Sequence, residues 1–199
     1  ENAHPHLAAG GRIAVIHNGI IENHAALRAQ LKDEGVSFNS DTDTETAGHL
    51  LASEVDSGLT LVEAMRAVAK KLQGAFTLLA IDARSPHTVV GARRNSPLVV
   101  GLGEGENFLA SDVIAFIEHT RTALELGQDE VVEITEGARP TTLFVEIRGD
   151  APDELDRDRV GWLYNGQTRE RGVGARAIEF GNAVMAHRGE QSGPFGRQH

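Results

Sequence analysis

A string near the start, His17-Asn18-Gly19-Ile20-Ile21-Glu22-Asn23, holds a residue pair suited to stabilising a developing negative charge. It follows the β-branched run Arg12 to Ile16, which reads as a buried strand introduced by a Gly10-Gly11 turn and ended by a tight bend at His17-Asn18-Gly19. At such a strand end an Asn can aim its side-chain amide, and a Gly its backbone N–H, at one point, because Gly has no Cβ to block a close approach. Two converging donors are what an oxyanion hole requires. The same dipeptide is also a favourable turn pair, and the two residues alone do not choose between these readings.

A second string, Ser40-Asp41-Thr42-Asp43-Thr44-Glu45, stands ahead of an apolar helix. One reading is helix capping, with acid in the first turn where the helix dipole favours it. The other is an anionic pocket for a substrate ammonium group. His4, His6 and His17 are further polar candidates, but a His beside a strand is more often structural and no three metal ligands converge in the pattern. No catalytic role, metal or cofactor is assigned to them.

Helices and strands must hold these residues in place. Glu22 to Glu34 has helical apolar spacing through Ala25, Leu27 and Leu31, with Gly35 as its stop. A second helix follows the caps at Asp41 to Thr44 and runs to about Asp56, and Thr60 caps a third that carries Leu61, Ala64, Met65, Val68 and Leu72 on one face. After Gly74 the period changes to that of strands. Ala75 to Ile81 and Thr88 to Ala92 pair around an Asp82-to-His87 turn, and Leu98 to Gly101, Asn107 to Ser111 and Glu130 to Ile134 follow. Ser111-Asp112 caps a short helix through Ile117.

Forty per cent apolar content in 199 residues suffices for one well-buried domain, with or without an appendage. The formal net charge of −10 argues against nucleic acid and anionic membranes as partners. No apolar run reaches membrane-span length and the start is not a signal peptide, so a cytoplasmic location is expected. Cysteine is absent, which removes disulfides and any thiol nucleophile from within the chain. The composition shifts near Ala138: every Lys (Lys32, Lys70, Lys71) precedes position 72, whereas Arg139 to Arg197 includes nine arginines, and Trp162 and Tyr164 are the only Trp and Tyr. Beyond that point only Thr142 to Ile147 reads as a strand.

Asn2-Ala3-His4-Pro5-His6, the His17 to Asn23 string, the Ser40 to Glu45 string, Ser96-Pro97-Leu98-Val99-Val100-Gly101 and Glu106 to Asp112 occur together, in one order and spacing. With them the chain resembles the glutamine–fructose-6-phosphate aminotransferase (isomerizing) family over residues 1 to about 136. The resemblance implies an α+β chain of the N-terminal-nucleophile hydrolase type, a four-layer α/β/β/α sandwich that is incomplete here because its N-terminal strands are missing. It implies that Asn18 and Gly19 form the oxyanion hole, and that Asp43, with Gly19, binds glutamine, Asp43 holding the α-ammonium group. It also implies glutamine as substrate, fructose 6-phosphate bound through absent sugar-isomerising domains, a homo-oligomeric parent, and no cofactor.

The departures are as informative. The family's nucleophile is an N-terminal Cys whose own amino group is the base, so a chain without Cys is expected to be inactive alone. Residues 137–199 are expected to be a divergent tail, disordered or the product of a frame change in a GC-rich gene. Two rivals stand beside the main reading: a phosphoribosyl amidotransferase of the same class, and a non-catalytic module on the same scaffold. The retained Asn18, Gly19 and Asp43 favour an enzyme parent, and the Ile20 to Asn23 and Thr42 to Glu45 strings favour the hexosamine enzyme.

Overall fold

The helix-forming stretches fold as their caps dictate. In the computed structural model, which describes residues 2–135 with their side chains and the backbone of 142–146, 176–181 and 184–186, a short strand β1 (His6–Ala8) leads into β2 (Ile13–Ile21) and then three helices. These are α1 (His24–Asp33), α2 (Asp43–Asp56) and α3 (Leu61–Lys71). Thr42 caps α2 by accepting from the Glu45 N–H, and Thr60 with Glu63 makes a reciprocal capping box on α3. Gly35 ends α1 at a φ of +90°, which an L side chain rarely adopts.

Strands follow: β3 (Gly74–Asp82), β4 (Thr88–Arg94), β5 (Val99–Leu102), β6 (Asn107–Ala110), β7 (Thr122–Glu125), β8 (Glu130–Thr135), β9 (Thr142–Glu146), β10 (Arg176–Gly181) and β11 (Val184–Ala186). They form two antiparallel sheets, one in the order β1-β2-β3-β4-β8-β9, the other β11-β10-β7-β5-β6. Alternation on the first sheet turns Ile13, Val15, Phe76, Leu78, Ala80, Val90, Ala92 and Val131 toward Leu51, Ala64, Met65 and Val68 of α2 and α3. Its other face presents Leu79, Val89, Val132 and Ile134 to Leu98, Val100, Leu124 and Leu126, which joins the two sheets. Helices, first sheet and second sheet make three of the four layers expected; the α+β class holds.

Three expectations change. The strand thought to stop at Ile16 continues through His17-Asn18-Gly19 to Ile21, so Asn-Gly is not a turn here. The helix expected from Ser111 to Ile117 is a single 3₁₀ turn, Val113–Ala115, capped by Asp112. Strands β1, β7, β10 and β11 were not foreseen, being short or lacking alternation. The strand read at Thr142 to Ile147 is present as β9 and pairs with β8. Apart from β9, β10 and β11, the residues 137–199 for which disorder or a frame change is expected lie outside the described residues.

Below the α2 N-terminus, Glu45 is 2% exposed and accepts from the Asn39 and Ser40 N–H groups and the Ser40 hydroxyl. Burial alone would raise its pKa, but these three bonds outweigh burial and hold the carboxyl below its ordinary value. A depressed carboxylate pKa contributes stability above the unfolded value of 4.5, lost as the pH falls through the folded value. Glu45→Gln, which keeps one acceptor where there were two, should therefore destabilise the chain by about 2 kcal/mol at pH 7. Urea denaturation checks this, and the difference between variant and wild type should shrink below the unfolded value.

Candidate active site

Gly19 lies on β2 directly against β3. It pairs with Phe76 at a φ of +123°, and a Cβ there would meet the Ala75 carbonyl oxygen at 2.2 Å. Only glycine fits, because that neighbour is backbone and cannot swing away. Gly74 is its counterpart on β3, where a Cβ would meet the Ile20 carbonyl oxygen at 2.3 Å.

Hydrogen bonding alternates along an antiparallel ladder, which settles where each N–H on β2 points. The Glu22 N–H donates to the Gln73 carbonyl, and the Ala83 N–H to the Arg12 carbonyl. Even-numbered residues of β2 therefore exchange bonds with β3, and His17, Gly19 and Ile21 direct their N–H groups toward the other edge. β1 covers that edge only at Ile13 to Val15. The Ile21 N–H agrees with this direction, since it donates to Asp43 Oδ2 at 2.9 Å. The Gly19 N–H, one two-residue step away or about 7 Å along the strand, faces out from the same edge with no strand partner among the described residues.

Asn18 alternates to the face away from the helices, between Ile16 and Ile20, which are 42% and 66% exposed. Its side chain is exposed and makes no hydrogen bond among the described residues. Asn18 and Gly19 thus bring a free amide and a free backbone N–H to adjacent positions, without the bend that the sequence suggested.

Asp43 opens α2 and is fixed from two sides. Besides the Ile21 bond on Oδ2, its Oδ1 takes a long bond from the Thr44 hydroxyl at 3.5 Å and lies 3.4 Å from His17 Nδ1. A carboxylate 21% exposed in its side chain thus keeps a set orientation while one flank stays open. Asp43 also lies within the first turn of the helix, as the capping reading of its string expects. His4, His6 and His17 converge on the threonines beside it: His4 Nε2 and His17 Nδ1 on Thr44 Oγ1 at 3.5 and 3.1 Å, His6 Nε2 on Thr42 Oγ1 at 3.3 Å. Burial is the main reason the His6 and His17 imidazoles lie below their ordinary pKa. Among the described residues no group of His, Asp and Glu is placed to hold a metal ion.

Sequence reasoning missed the Ile21 N–H, Thr44 and the His17 contact. The first two carry no signal of their own, because a backbone donor is silent in sequence and Thr44 looked like one cap candidate among several.

Residues 1–118, more than half of the chain, match the family model of the glutamine amidotransferase domain, and the chain belongs to that family. Among curated relatives, glutamine–fructose-6-phosphate aminotransferase (isomerizing) of Streptomyces coelicolor is 63% identical over 141 residues, 70% of this chain and 23% of the relative. The proteins of the same name from Leifsonia xyli and Mycolicibacterium smegmatis are each 56% identical, over 81% and 83% of this chain and 26% and 27% of their own lengths. The chain therefore spans about a quarter of the curated relatives it matches. The last alignment covers more of the chain than residues 1 to 136 make up, so the likeness reaches past the composition change. Among solved structures, glutamine phosphoribosylpyrophosphate amidotransferase from B. subtilis superposes with a TM-score of 0.58 at 23% identity, over 72% of this chain and 30% of that one. At that identity the likeness establishes the shared fold alone. Among the described residues no helix is long and apolar enough to cross a membrane.

Proposed function

We propose that this chain supplies the carbonyl-polarising and ammonium-binding half of a glutamine-hydrolysing site. Its parent enzyme moves the amide nitrogen of glutamine to fructose 6-phosphate, giving glucosamine 6-phosphate and glutamate. The observation that carries the reading is the placement of a free Gly19 N–H beside Asn18, with the oriented Asp43 carboxylate bonded two residues further along the same strand edge. An extended glutamine separates its carboxamide oxygen from its α-nitrogen by about 6 Å, comparable with the two-residue step of about 7 Å between the Gly19 and Ile21 N–H groups. The oxygen, turning anionic as the carbonyl is attacked, meets the Asn18 amide and the Gly19 N–H, and the ammonium group meets Asp43.

The family's nucleophile is a thiol and these 199 residues contain no cysteine, so the attacking group comes from outside them and this polypeptide alone does not turn over glutamine. Fructose 6-phosphate enters because the relatives are named for it. A cytoplasmic, homo-oligomeric parent completes the reading.

Asp43→Asn, made in the enzyme that carries this segment together with its nucleophile, tests it. Asn can still accept from the Ile21 N–H, so the fold is kept. The lost charge faces a part of the substrate unchanged between ground and transition states, so the KM for glutamine should rise roughly ten- to a hundredfold with kcat little altered. A fall in kcat at unchanged KM would remove Asp43 from the ammonium site.

A further inference from the structure

We infer that His17 is a positioning residue for the substrate ammonium site, acting through Thr44 to hold Asp43 in the rotamer that faces the ligand. The inference rests on the glutamine-site reading above and adds to it the group that fixes the orientation of the carboxylate. His17 is 6% exposed, on the helix-facing side of β2, so it does not touch substrate from the Asn18 face. Its Nδ1 faces two oxygens, Thr44 Oγ1 at 3.1 Å and Asp43 Oδ1 at 3.4 Å. A lone pair turned toward a carboxylate oxygen would be repelled, so Nδ1 carries the proton and donates to Thr44, whose own hydroxyl then donates to Asp43 Oδ1. The relay runs in one direction from imidazole to hydroxyl to carboxylate, and the Ile21 N–H closes the other oxygen.

Two further observations fit a neutral donor kept for orientation. Burial holds the imidazole below its ordinary pKa despite the carboxylate beside it, so it presents one N–H and no charge that would compete with an incoming ammonium group. Nε2 is buried with no hydrogen-bond partner among the described residues, an unfavourable arrangement that an apolar side chain of similar size would remove. The position is therefore better explained by what Nδ1 does than by packing.

The experiment compares His17→Asn with His17→Gln in the enzyme that carries this segment with its nucleophile. It uses glutamine and glutaramate, which is glutamine without its α-amino group. Asn places an amide N–H where Nδ1–H stands, and Gln places it one carbon further out. His17→Asn should keep the KM for glutamine within about threefold of wild type, whereas His17→Gln should raise it about tenfold with kcat within about twofold. Glutaramate hydrolysis should be unchanged in both. Equal losses in the two variants, or a parallel loss on glutaramate, would overturn the positioning role. Equal KM values for glutamine and glutaramate in the wild type would instead overturn the ammonium site itself. Should His17→Gln fail to fold, the ¹⁵N spectrum of the wild-type imidazole decides: a protonated Nδ1 supports the relay and a protonated Nε2 refutes it.

Discussion

Asn18→Ala, in the enzyme that carries this segment with its nucleophile, should lower kcat for glutamine hydrolysis by about 10²–10³, with a much smaller change in KM. The side chain is exposed, has no partner among the described residues and sits between two exposed isoleucines, so its removal leaves the fold untouched. On the proposed reading, what disappears is one of two donors at the point where oxygen becomes anionic, a contact strong only in the transition state. Steady-state kinetics with glutamine, alongside a thermal melt matching wild type, is the check. A loss confined to KM would mean that Asn18 binds ground-state substrate and nothing more.

Gly19→Ala should fail for a different reason, one that this chain itself can report. The new Cβ would overlap a backbone oxygen, and the φ of +123° is itself strained for alanine. The two effects together should destabilise the chain by roughly 3–5 kcal/mol, a large part of an ordinary domain's stability. Gly35→Ala is the control, since it has a positive φ but open space around it, and should lose only about 1 kcal/mol. Urea denaturation of both variants measures the contrast. If they lost the same amount, the close approach of β2 and β3 at this point would be in error.

These two residues also show how far the sequence was legible. Helices α2 and α3 were readable because caps and apolar spacing agree: Thr42 with Glu45, Thr60 with Glu63, and the Ala64, Met65, Val68 stripe that meets the sheet. The β3–β4 hairpin was readable from its alternation and its intervening turn. The course of β2 was not. Asn-Gly is a strong local turn signal, and what overrides it is β3 passing so near that only a residue without a Cβ fits mid-strand, a fact about a neighbour more than fifty residues away. The part of Asp43 in the candidate site was half legible. Its charge and its place before a helix could be read, but the Ile21 N–H and Thr44 that orient it belong to the fold, not to its own string. Strands β1 and β7 have three and four residues, too few for a period to show.

The β2–β3 ladder has a consequence for the order of events as the chain folds. Residues 22–73, with all three helices, form the loop that must close before Ile21 can meet Gly74. The helices rest on neighbours in sequence and can assemble within microseconds, whereas a ladder over so long a loop waits on an entropic search. The Gly19 N–H acquires its outward direction only when β3 has docked on the opposite edge. A nascent chain would therefore hold its helices well before it holds the Asn18 amide and the Gly19 N–H in their proposed arrangement. Any variant that slows the docking of β3 would delay that arrangement without altering a single group in the candidate site.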